Sequence, residues 1–358
     1  MSLLIFILVL SILIIVHEFG HFIIAKRIGV KVERFALGFG PKIASFKRKE
    51  TEYAICLVPL GGYVKMAGDN FEEFKGKPNE YLSRTPLERS RIVFFGPVLN
   101  YVLGFVCFFF VFLLGFPQLT SKVGGLIKDY PASIAGIKVG DEIIAIDAKK
   151  IKTWDELQAN IRRSRKESLE MIVLRDKKEL PFIVNLRREK IKNIFGQEET
   201  INLVGIKSKD EIIYIKYGII KSLNLAFSKI VEITFITFKA LFRMVTGAMS
   251  FRDSVTGPLG IFYITQKAAH MGFNSLLHVV AVLSTSLGIF NLLPLPLLDG
   301  GHLFLLGFEK IKGRPIGKKV DEIITRVGFS LIIFLALFVF YNDLARFGIL
   351  DKILKLFK

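Results

Sequence analysis

Two histidines four residues apart, with an acidic residue between them, stand near the start of the chain. The segment is His17-Glu18-Phe19-Gly20-His21. On a helix, residues i and i+4 lie on one face, so the two imidazoles can bind the same metal ion. Glu18 is the only acidic residue in the surrounding apolar run, where ionisable groups are costly and usually functional. These types and this spacing indicate metal-dependent hydrolysis in which Glu18 takes a proton from water.

A third ligand must come from elsewhere, because a catalytic zinc ion takes three protein ligands and keeps one position for water. Asp299 is the only acidic residue associated with the apolar run at 271–298. If this run and the first one cross a membrane in the same direction, their C-terminal portions carry Asp299 and His21 on the same side. Two imidazoles and a carboxylate form a hydrolytic zinc set. The alternative is that Asp299 only begins an Asp-Gly turn.

Long apolar runs must position these residues. They cover 3–24, 92–116, 271–298 and 327–341. A helix rises 1.5 Å per residue, so about 20 residues cross a hydrocarbon core of roughly 30 Å. The first run lacks a basic segment before it and a small-residue cleavage site after it, which favours a retained helix over a signal peptide. We therefore predict a polytopic α-helical membrane protein with four transmembrane helices.

A small α+β module is predicted between the second and third runs. Its strands lie at 123–127, 142–146, 169–174 and 180–186, and its helix at 154–163. We divide the chain into a membrane half at 1–116, the module at 117–190, a linker at 191–270 and a second membrane half at 271–358. Within the linker, the charges of 219–249 follow one helical stripe, which indicates a helix lying in the membrane surface. The alternative is a buried helix of the module.

The formal charge of the chain is +18. The basic residues are spread along the sequence without a dense stripe, so we expect attraction to anionic lipid and no nucleic-acid partner. Lys26 and Arg27 follow the first run, which places the segment 26–91 in the cytoplasm and the module on the opposite side.

The chain resembles the site-2 protease family of intramembrane metalloproteases, in particular the bacterial regulator-of-sigma-E-protease type with an extracytoplasmic PDZ domain. The resemblance covers nearly the whole chain and depends first on the segments 17–21 and 291–301. Supporting motifs are Gly61-Gly62-Tyr63-Val64-Lys65-Met66, Gly96-Pro97-Val98-Leu99-Asn100 and Gly257-Pro258-Leu259-Gly260-Ile261. In this family the two histidines and the aspartate bind Zn²⁺ and the glutamate activates water, which implies these roles for His17, His21, Asp299 and Glu18.

The resemblance also implies substrate-binding residues. Gly61, Gly62, Tyr63 and Val64 match a membrane re-entrant β-loop that offers a strand edge to an unwound substrate helix; a plain turn at the two glycines is the alternative. Asn291, Pro294 and Pro296 match the family pattern Asn-x-x-Pro-x-Pro-x-x-Asp-Gly. Asn291 either bonds substrate or holds the helix broken by the prolines. Ser286 stands where many relatives have a substrate-contacting asparagine.

The expected enzyme is thus a zinc metalloprotease in the bacterial cytoplasmic membrane. The resemblance implies single-span membrane proteins as substrates, such as an anti-sigma factor or signal-peptide remnants, and membrane lipid as surroundings. The PDZ domain, whose ligand is unknown, acts either as a size filter or by binding a chain terminus. Three rivals stay open: a membrane scaffold that kept its zinc site, a zinc transporter, and a metalloprotease that acts on soluble peptides.

Overall fold

The computed structural model describes residues 2–192, 197–314 and 317–348. They form two compact units. Unit 1 comprises Met1–Val111, Ile220–Leu241 and Ser250–Lys358, and unit 2 comprises Phe112–Ile219 and Phe242–Met249. The motifs at 17–21, 61–66 and 291–301 all lie in unit 1, so one unit holds every residue that the sequence assigns to chemistry.

The helices within these residues are α1 (Ser2–Ile28), α2 (Pro86–Leu114), α3 (Pro131–Ile134), α4 (Trp154–Arg163), α5 (Ile219–Val245), α6 (Phe251–Ser254), α7 (Pro258–His270), α8 (Phe273–Asn291), α9 (Asp299–Lys312) and α10 (Lys318–Arg346). The strands are β1 (Val32–Arg48), β2 (Thr51–Met66), β3 (Phe116–Leu119), β4 (Val123–Leu126), β5 (Glu142–Ile146), β6 (Lys149–Lys150), β7 (Ser168–Arg175), β8 (Lys178–Asn185), β9 (Arg187–Lys192), β10 (Glu198–Leu203), β11 (Ile206–Ser208) and β12 (Ile212–Ile215).

Four helices of the described chain, α1, α2, α8 and α10, are long and apolar enough to cross a membrane. The prediction of four such helices is confirmed, but two of the boundaries were wrong. The third was expected over 271–298, whereas α8 ends at Asn291 and Asp299 begins a separate helix. The prolines at 294 and 296 explain the break, because proline lacks the N–H that a helix needs. The fourth helix is almost twice as long as its predicted range of 327–341.

The segment after α1 is a long β-hairpin. Its turn lies at Lys49 and Glu50, and its two strands are β1 and β2. The first part of β1 pairs on both sides: Phe35 lies opposite Tyr53 on one side and Val64 on the other. The strand order is therefore 42–48, 51–56, 34–37 and 62–66. Gly61 precedes the strand 62–66 and Gly62 begins it, and the re-entrant nature of this β-element stays a prediction.

The outer part of the hairpin exposes apolar side chains. These include Phe39, Ile43, Phe46, Ile55, Leu57 and Val58, each at least 44% exposed. Exposed apolar side chains in this density need a cover other than water. They are compatible with the predicted insertion of this β-element into the membrane, which stays a prediction.

Helices α1 and α2 approach each other closely at glycine positions. A Cβ atom on Gly20 would lie 2.2 Å from the carbonyl oxygen of Phe95. Only glycine permits this separation, because real Cβ atoms do not approach a backbone oxygen so closely. The crossing brings the histidines of α1 against the middle of α2, where the motif 96–100 lies.

Unit 2 is the predicted α+β module, with a longer extent. The predicted helix matches α4 and the four predicted strands match β4, β5, β7 and β8 to within one or two residues. An antiparallel sheet in the order β6-β5-β7-β8 packs against the apolar face of α4, which buries Trp154, Leu157 and Ile161. The predicted boundary at 190 falls inside β9, and further strands continue to Ile215. Two of these later strands pair with strands from the start of the unit: β11 pairs with β4, and β12 pairs with β3.

The predicted linker at 191–270 is largely helical or strand-like where it is described. Helix α5 covers most of the predicted range 219–249 and ends at Val245. The helix that the charge stripe indicated is therefore present. Two further helices, α6 and α7, precede the third apolar run. The motif at 257–261 starts α7, where Pro258 occupies a first-turn position that needs no N–H donor.

Candidate metal centre

The three predicted ligands come together in the folded chain. His17 and His21 lie one turn apart on α1, and their Nε2 atoms are 3.2 Å apart. The Oδ2 atom of Asp299 lies 3.1 Å from Nε2 of His17, and Oδ1 lies 3.6 Å from Nε2 of His21. Across the part of the chain that the structure describes, this trio forms a group of ligand atoms that could hold one metal ion.

The distances within the trio suit zinc. A tetrahedral ion with bonds of about 2.0–2.1 Å separates its ligand atoms by about 3.3 Å, close to the separations of 3.1–3.6 Å observed here. Oδ2 of Asp299 is buried and has no hydrogen-bond donor among the described residues. A buried carboxylate oxygen without a donor is costly, and a cation between it and the imidazoles removes that cost. The donor set therefore fits Zn²⁺.

The first turn of α9 positions Asp299. Two glycines follow it, and a Cβ atom on Gly300 would lie 2.3 Å from the carbonyl oxygens of Leu292 and Leu293. On Gly301, a Cβ atom would lie 2.2 Å from the Leu295 carbonyl oxygen. The Asp-Gly-Gly sequence thus lets the helix start directly against the broken end of α8. The first turn of α9 thus places the carboxylate of Asp299 beside both histidines.

Both histidines are bonded through their other ring nitrogen to α2. Nδ1 of His21 lies 2.9 Å from the carbonyl oxygen of Ile92, which can only accept a hydrogen bond. The proton of His21 therefore sits on Nδ1, and Nε2 is left as a metal ligand. Nδ1 of His17 lies 3.2 Å from the side-chain amide of Asn100. Asn100 is the last residue of the motif 96–100, and the sequence alone assigns it no role.

Glu18 lies beside the sheet edge formed by 62–66. A Cβ atom built on Gly62 would lie 3.5 Å from Cγ of Glu18, and the backbone N–H of Val64 faces its carboxylate. Within the described residues, 62–66 pair only with β1, so the other edge of this strand has no strand partner. The predicted base and the predicted substrate-binding segment are thus neighbours.

The remaining predicted residues lie at the end of α8. Nδ2 of Asn291 is 3.4 Å from Nδ1 and 3.3 Å from Nε2 of His17, so this side chain does reach the metal centre. Pro294 and Pro296 lie in the irregular segment between α8 and α9, farther along the chain from that contact. Ser286 is half-buried within α8.

A cavity of about 660 Å³ adjoins the trio. His21 and Asp299 contribute to its lining, and so does His302. The loop before α2 provides Asp69 and Tyr81. The cavity joins the metal centre to polar groups outside the apolar runs, and it has room for several water molecules.

The model of peptidase family M50 matches residues 5–335. This chain belongs to peptidase family M50. A Rickettsia conorii protein, provisionally named a zinc metalloprotease, is 34% identical over 95% of this chain and 97% of its own length. A Clostridium acetobutylicum protein with the same provisional name is 34% identical over 94% and 95%. Zinc metalloprotease RasP of Oceanobacillus iheyensis is 30% identical over 95% and 98%.

Membership of family M50 confirms the resemblance to site-2 proteases that the motifs suggested. The chain is a zinc metalloprotease and, with its apolar helices, a multi-pass membrane protein. The PDZ domain of an SdrC-like protein from Listeria innocua matches with 21% identity and a TM-score of 0.21, covering 26% of this chain and 96% of that one. A solution structure from Geobacillus thermodenitrificans matches with 22% identity and a TM-score of 0.18, covering 20% and 82%.

The sequence alone assigned no role to two residues that contact the histidines of the candidate metal centre. One is Asn100, and the other is Gly96, which faces both histidines. A signal for the first was present: apart from Tyr101 and Cys107, Asn100 is the only polar side chain in the run at 92–116. An amide inside an apolar span is costly without a partner, so it points to a specific contact.

Proposed function

We propose that this M50 protease cleaves single-span membrane proteins within the bilayer, with Zn²⁺ held by His17, His21 and Asp299. The observation that carries the proposal is the convergence of these three ligand atoms between helices long enough to cross a membrane. Zinc in such a site makes water a nucleophile near neutral pH and polarises the carbonyl that is attacked. Ile92 orients the imidazole of His21, and the start of α9 orients the carboxylate of Asp299.

Glu18 is the proposed general base. Its carboxylate lies next to the two ligand histidines on α1, where it can take the proton of the attacking water on one oxygen. The same oxygen then donates the proton to the nitrogen of the leaving amine. The neighbouring strand 62–66 helps to hold Glu18, since Gly62 leaves room for its side chain and the Val64 N–H faces it.

The substrate is proposed to bind as an extended strand along 62–66, where Gly61, Gly62, Tyr63 and Val64 offer an edge. A helical peptide bond is shielded and its carbonyl is already bonded, so cleavage requires local unwinding. Adding the unwound segment to an edge strand satisfies its backbone groups in a medium without water. Asn291 contacts His17 through its amide nitrogen, which is suited to donate to a substrate carbonyl. Pro294 and Pro296 keep the adjacent backbone non-helical.

The membrane placement follows from the same proposal. The segment 26–91 and the cavity at the metal centre face the cytoplasm of a bacterial cell. Unit 2 acts outside the cytoplasm as a PDZ domain. The strands of unit 2 and its helix α4 can receive an extended peptide. The unit acts either as a size filter or by capturing a chain terminus. The basic excess of the chain supports contact with anionic lipid.

The test uses the full chain, purified in detergent and in lipid vesicles, with a tagged single-span protein as substrate. We expect cleavage that is abolished by a chelator and by Glu18→Gln, while the variant still binds one zinc ion. Cleavage of soluble casein at a comparable rate would favour a protease for soluble peptides. Zinc binding without cleavage of any of several transmembrane substrates would favour a scaffold.

A further inference from the structure

The side chain of Asn100 is buried completely beside the metal centre. It belongs to α2 and is 0% exposed. Its Nδ2 atom lies 3.2 Å from Nδ1 of His17. Its Oδ1 atom is buried and has no hydrogen-bond partner among the described residues. A fully buried amide with an orphaned oxygen calls for a chemical explanation.

The tautomer of His17 supplies that explanation. Nε2 of His17 faces the other ligand atoms, 3.2 Å from His21 Nε2 and 3.1 Å from Asp299 Oδ2. When Nε2 binds a metal ion, the proton of a neutral imidazole resides on Nδ1. An N–H on Nδ1 cannot share a hydrogen bond with the NH₂ group of Asn100, because both are donors.

Rotating the terminal amide of Asn100 by 180° resolves the conflict. The rotation exchanges oxygen and nitrogen with almost no change of shape. Oδ1 then accepts from the Nδ1–H of His17, which gives the orphaned oxygen a partner. The rotated arrangement matches the one at His21, whose Nδ1 donates to the carbonyl oxygen of Ile92.

The other amide near His17 does not compete for this contact. Nδ2 of Asn291 is 3.4 Å from Nδ1 and 3.3 Å from Nε2. An atom equally far from the two ring nitrogens lies on their bisecting plane and cannot point along the lone-pair direction of either. Asn100, at 3.2 Å from Nδ1, is therefore the side chain placed to select the tautomer.

We infer that Asn100 is a positioning residue whose amide oxygen accepts the Nδ1–H of His17 and so directs Nε2 to the zinc ion. The inference rests on the proposed role of His17 as a ligand. Helix α2 then orients both histidines, because Ile92 and Asn100 lie eight residues, or about two turns, apart and contact His21 and His17 in that order. The antiparallel crossing of α1 and α2 makes this pairing possible.

The experiment measures the zinc affinity of the full-length protein by competition with a chromophoric chelator. Asn100→Asp keeps an oxygen acceptor, and Asn100→Leu removes it at similar size. Outer contacts of ligand histidines typically change metal affinity 10–100-fold. We expect Asn100→Leu to weaken zinc binding by about that factor and Asn100→Asp to stay within about threefold of the parent protein. In the Co²⁺-substituted proteins, the visible ligand-field spectrum should change in Asn100→Leu and persist in Asn100→Asp.

Ser284→Ala is the matched control. The Oγ of Ser284 donates to the backbone oxygen of Asn100, 2.8 Å away, so this variant perturbs the same helix contact without touching the amide. Its zinc affinity should equal that of the parent protein. If Asn100→Leu does not fold, Asn100→Ala replaces it, and the comparison with Asn100→Asp decides.

The outcomes separate this inference from the proposed function. Equal zinc affinity in Asn100→Leu (or Asn100→Ala), Asn100→Asp and the parent, together with loss of zinc in His17→Ala, would overturn the inference and leave the metal centre intact. An affinity in Asn100→Asp as low as in Asn100→Leu would also overturn it, because an oxygen acceptor would then not be the deciding feature. Retention of zinc in His17→Ala would refute the ligand assignment itself.

Discussion

Gly96 on α2 lies so close to His21 that a Cβ atom there would be 2.4 Å from the Nε2 and Cε1 atoms of the imidazole. The same Cβ atom would be 2.9 Å from Cε1 of His17. The ring edges in contact are those that face the proposed metal ion. Glycine at position 96 therefore allows the backbone of α2 to contact the two imidazoles. The geometry of the metal centre depends on this close contact.

A methyl group at position 96 should disturb the metal centre. Gly96→Ala should reduce zinc affinity by at least about tenfold, because contacts below 3 Å force the imidazoles out of their positions. Zinc content and chelator competition on purified protein measure the effect. The control is Gly307→Ala on α9, where a Cβ atom would have no neighbour within 4 Å. Unchanged zinc affinity in Gly96→Ala would show that α1 and α2 can separate at no cost to the site.

A buried ion pair joins α2 to the helix that begins at Asp299. The guanidinium of Arg89 donates to the carboxylate of Glu309, and each side chain is 9% exposed. Arg89→Leu should lower the free energy of unfolding by about 3–5 kcal/mol, because the carboxylate is left buried without a partner. The double variant Arg89→Leu/Glu309→Leu should recover most of that loss. Equilibrium unfolding in detergent measures both, and similar losses in the single and double variants would contradict the prediction.

Asp343 of α10 caps the first turn of α7. It is 1% exposed and accepts hydrogen bonds from the backbone N–H groups of Gly257, Leu259 and Gly260 at 3.1, 2.9 and 3.1 Å. Asp343→Ala should destabilise the protein by about 1–3 kcal/mol, since buried donors lose their acceptor. The stability of Asp343→Asn, which keeps one oxygen acceptor, should lie between those of the parent protein and Asp343→Ala. Thermal unfolding tests this, with the exposed Ser330→Ala of α10 as control.

The pH dependence of unit 2 follows from Asp141. Burial pushes the pKa of this carboxyl up, but hydrogen bonds from Arg175 and the backbone N–H of Lys138 outweigh burial and lower the pKa below its ordinary value. A carboxyl with a lowered folded-state pKa stabilises the fold above its unfolded pKa of about 3.9 and loses that contribution as the pH falls further. Unit 2 should therefore unfold more easily below about pH 4.

Trp154 makes this measurable in the full chain. It is the only tryptophan, and it lies in the core of unit 2, so its fluorescence reports the unfolding of that unit alone. In Asp141→Asn the fall in stability between about pH 5 and pH 3 should be smaller than in the parent protein. The same slope in both proteins would mean that another carboxyl controls the acid stability.

The sequence by itself determined the chemistry and the membrane character. The spacing of His17 and His21 predicts a shared face, because 3.6 residues per turn is a local property of any helix. The lengths of the apolar runs predict the four membrane-spanning helices, because the rise of 1.5 Å per residue is also a local property of any helix. Asp299 could be selected because acidic residues are rare in such runs. The elements of unit 2 up to residue 186 were also predictable, since their periodicity and turn residues are local signals.

Only the tertiary structure decided which groups support these residues. Nothing local to Asn100 or Ile92 predicts that they meet His17 and His21, because the contact depends on where two helices cross. The pairing of Phe35 with both Tyr53 and Val64 is likewise non-local, so the strand order of this β-element could not be predicted from the sequence. Asp299 belongs to a new helix and not to the third span for the same reason. Its position depends on Gly300 fitting against the broken end of α8, a close packing of backbones that is visible only in the folded chain.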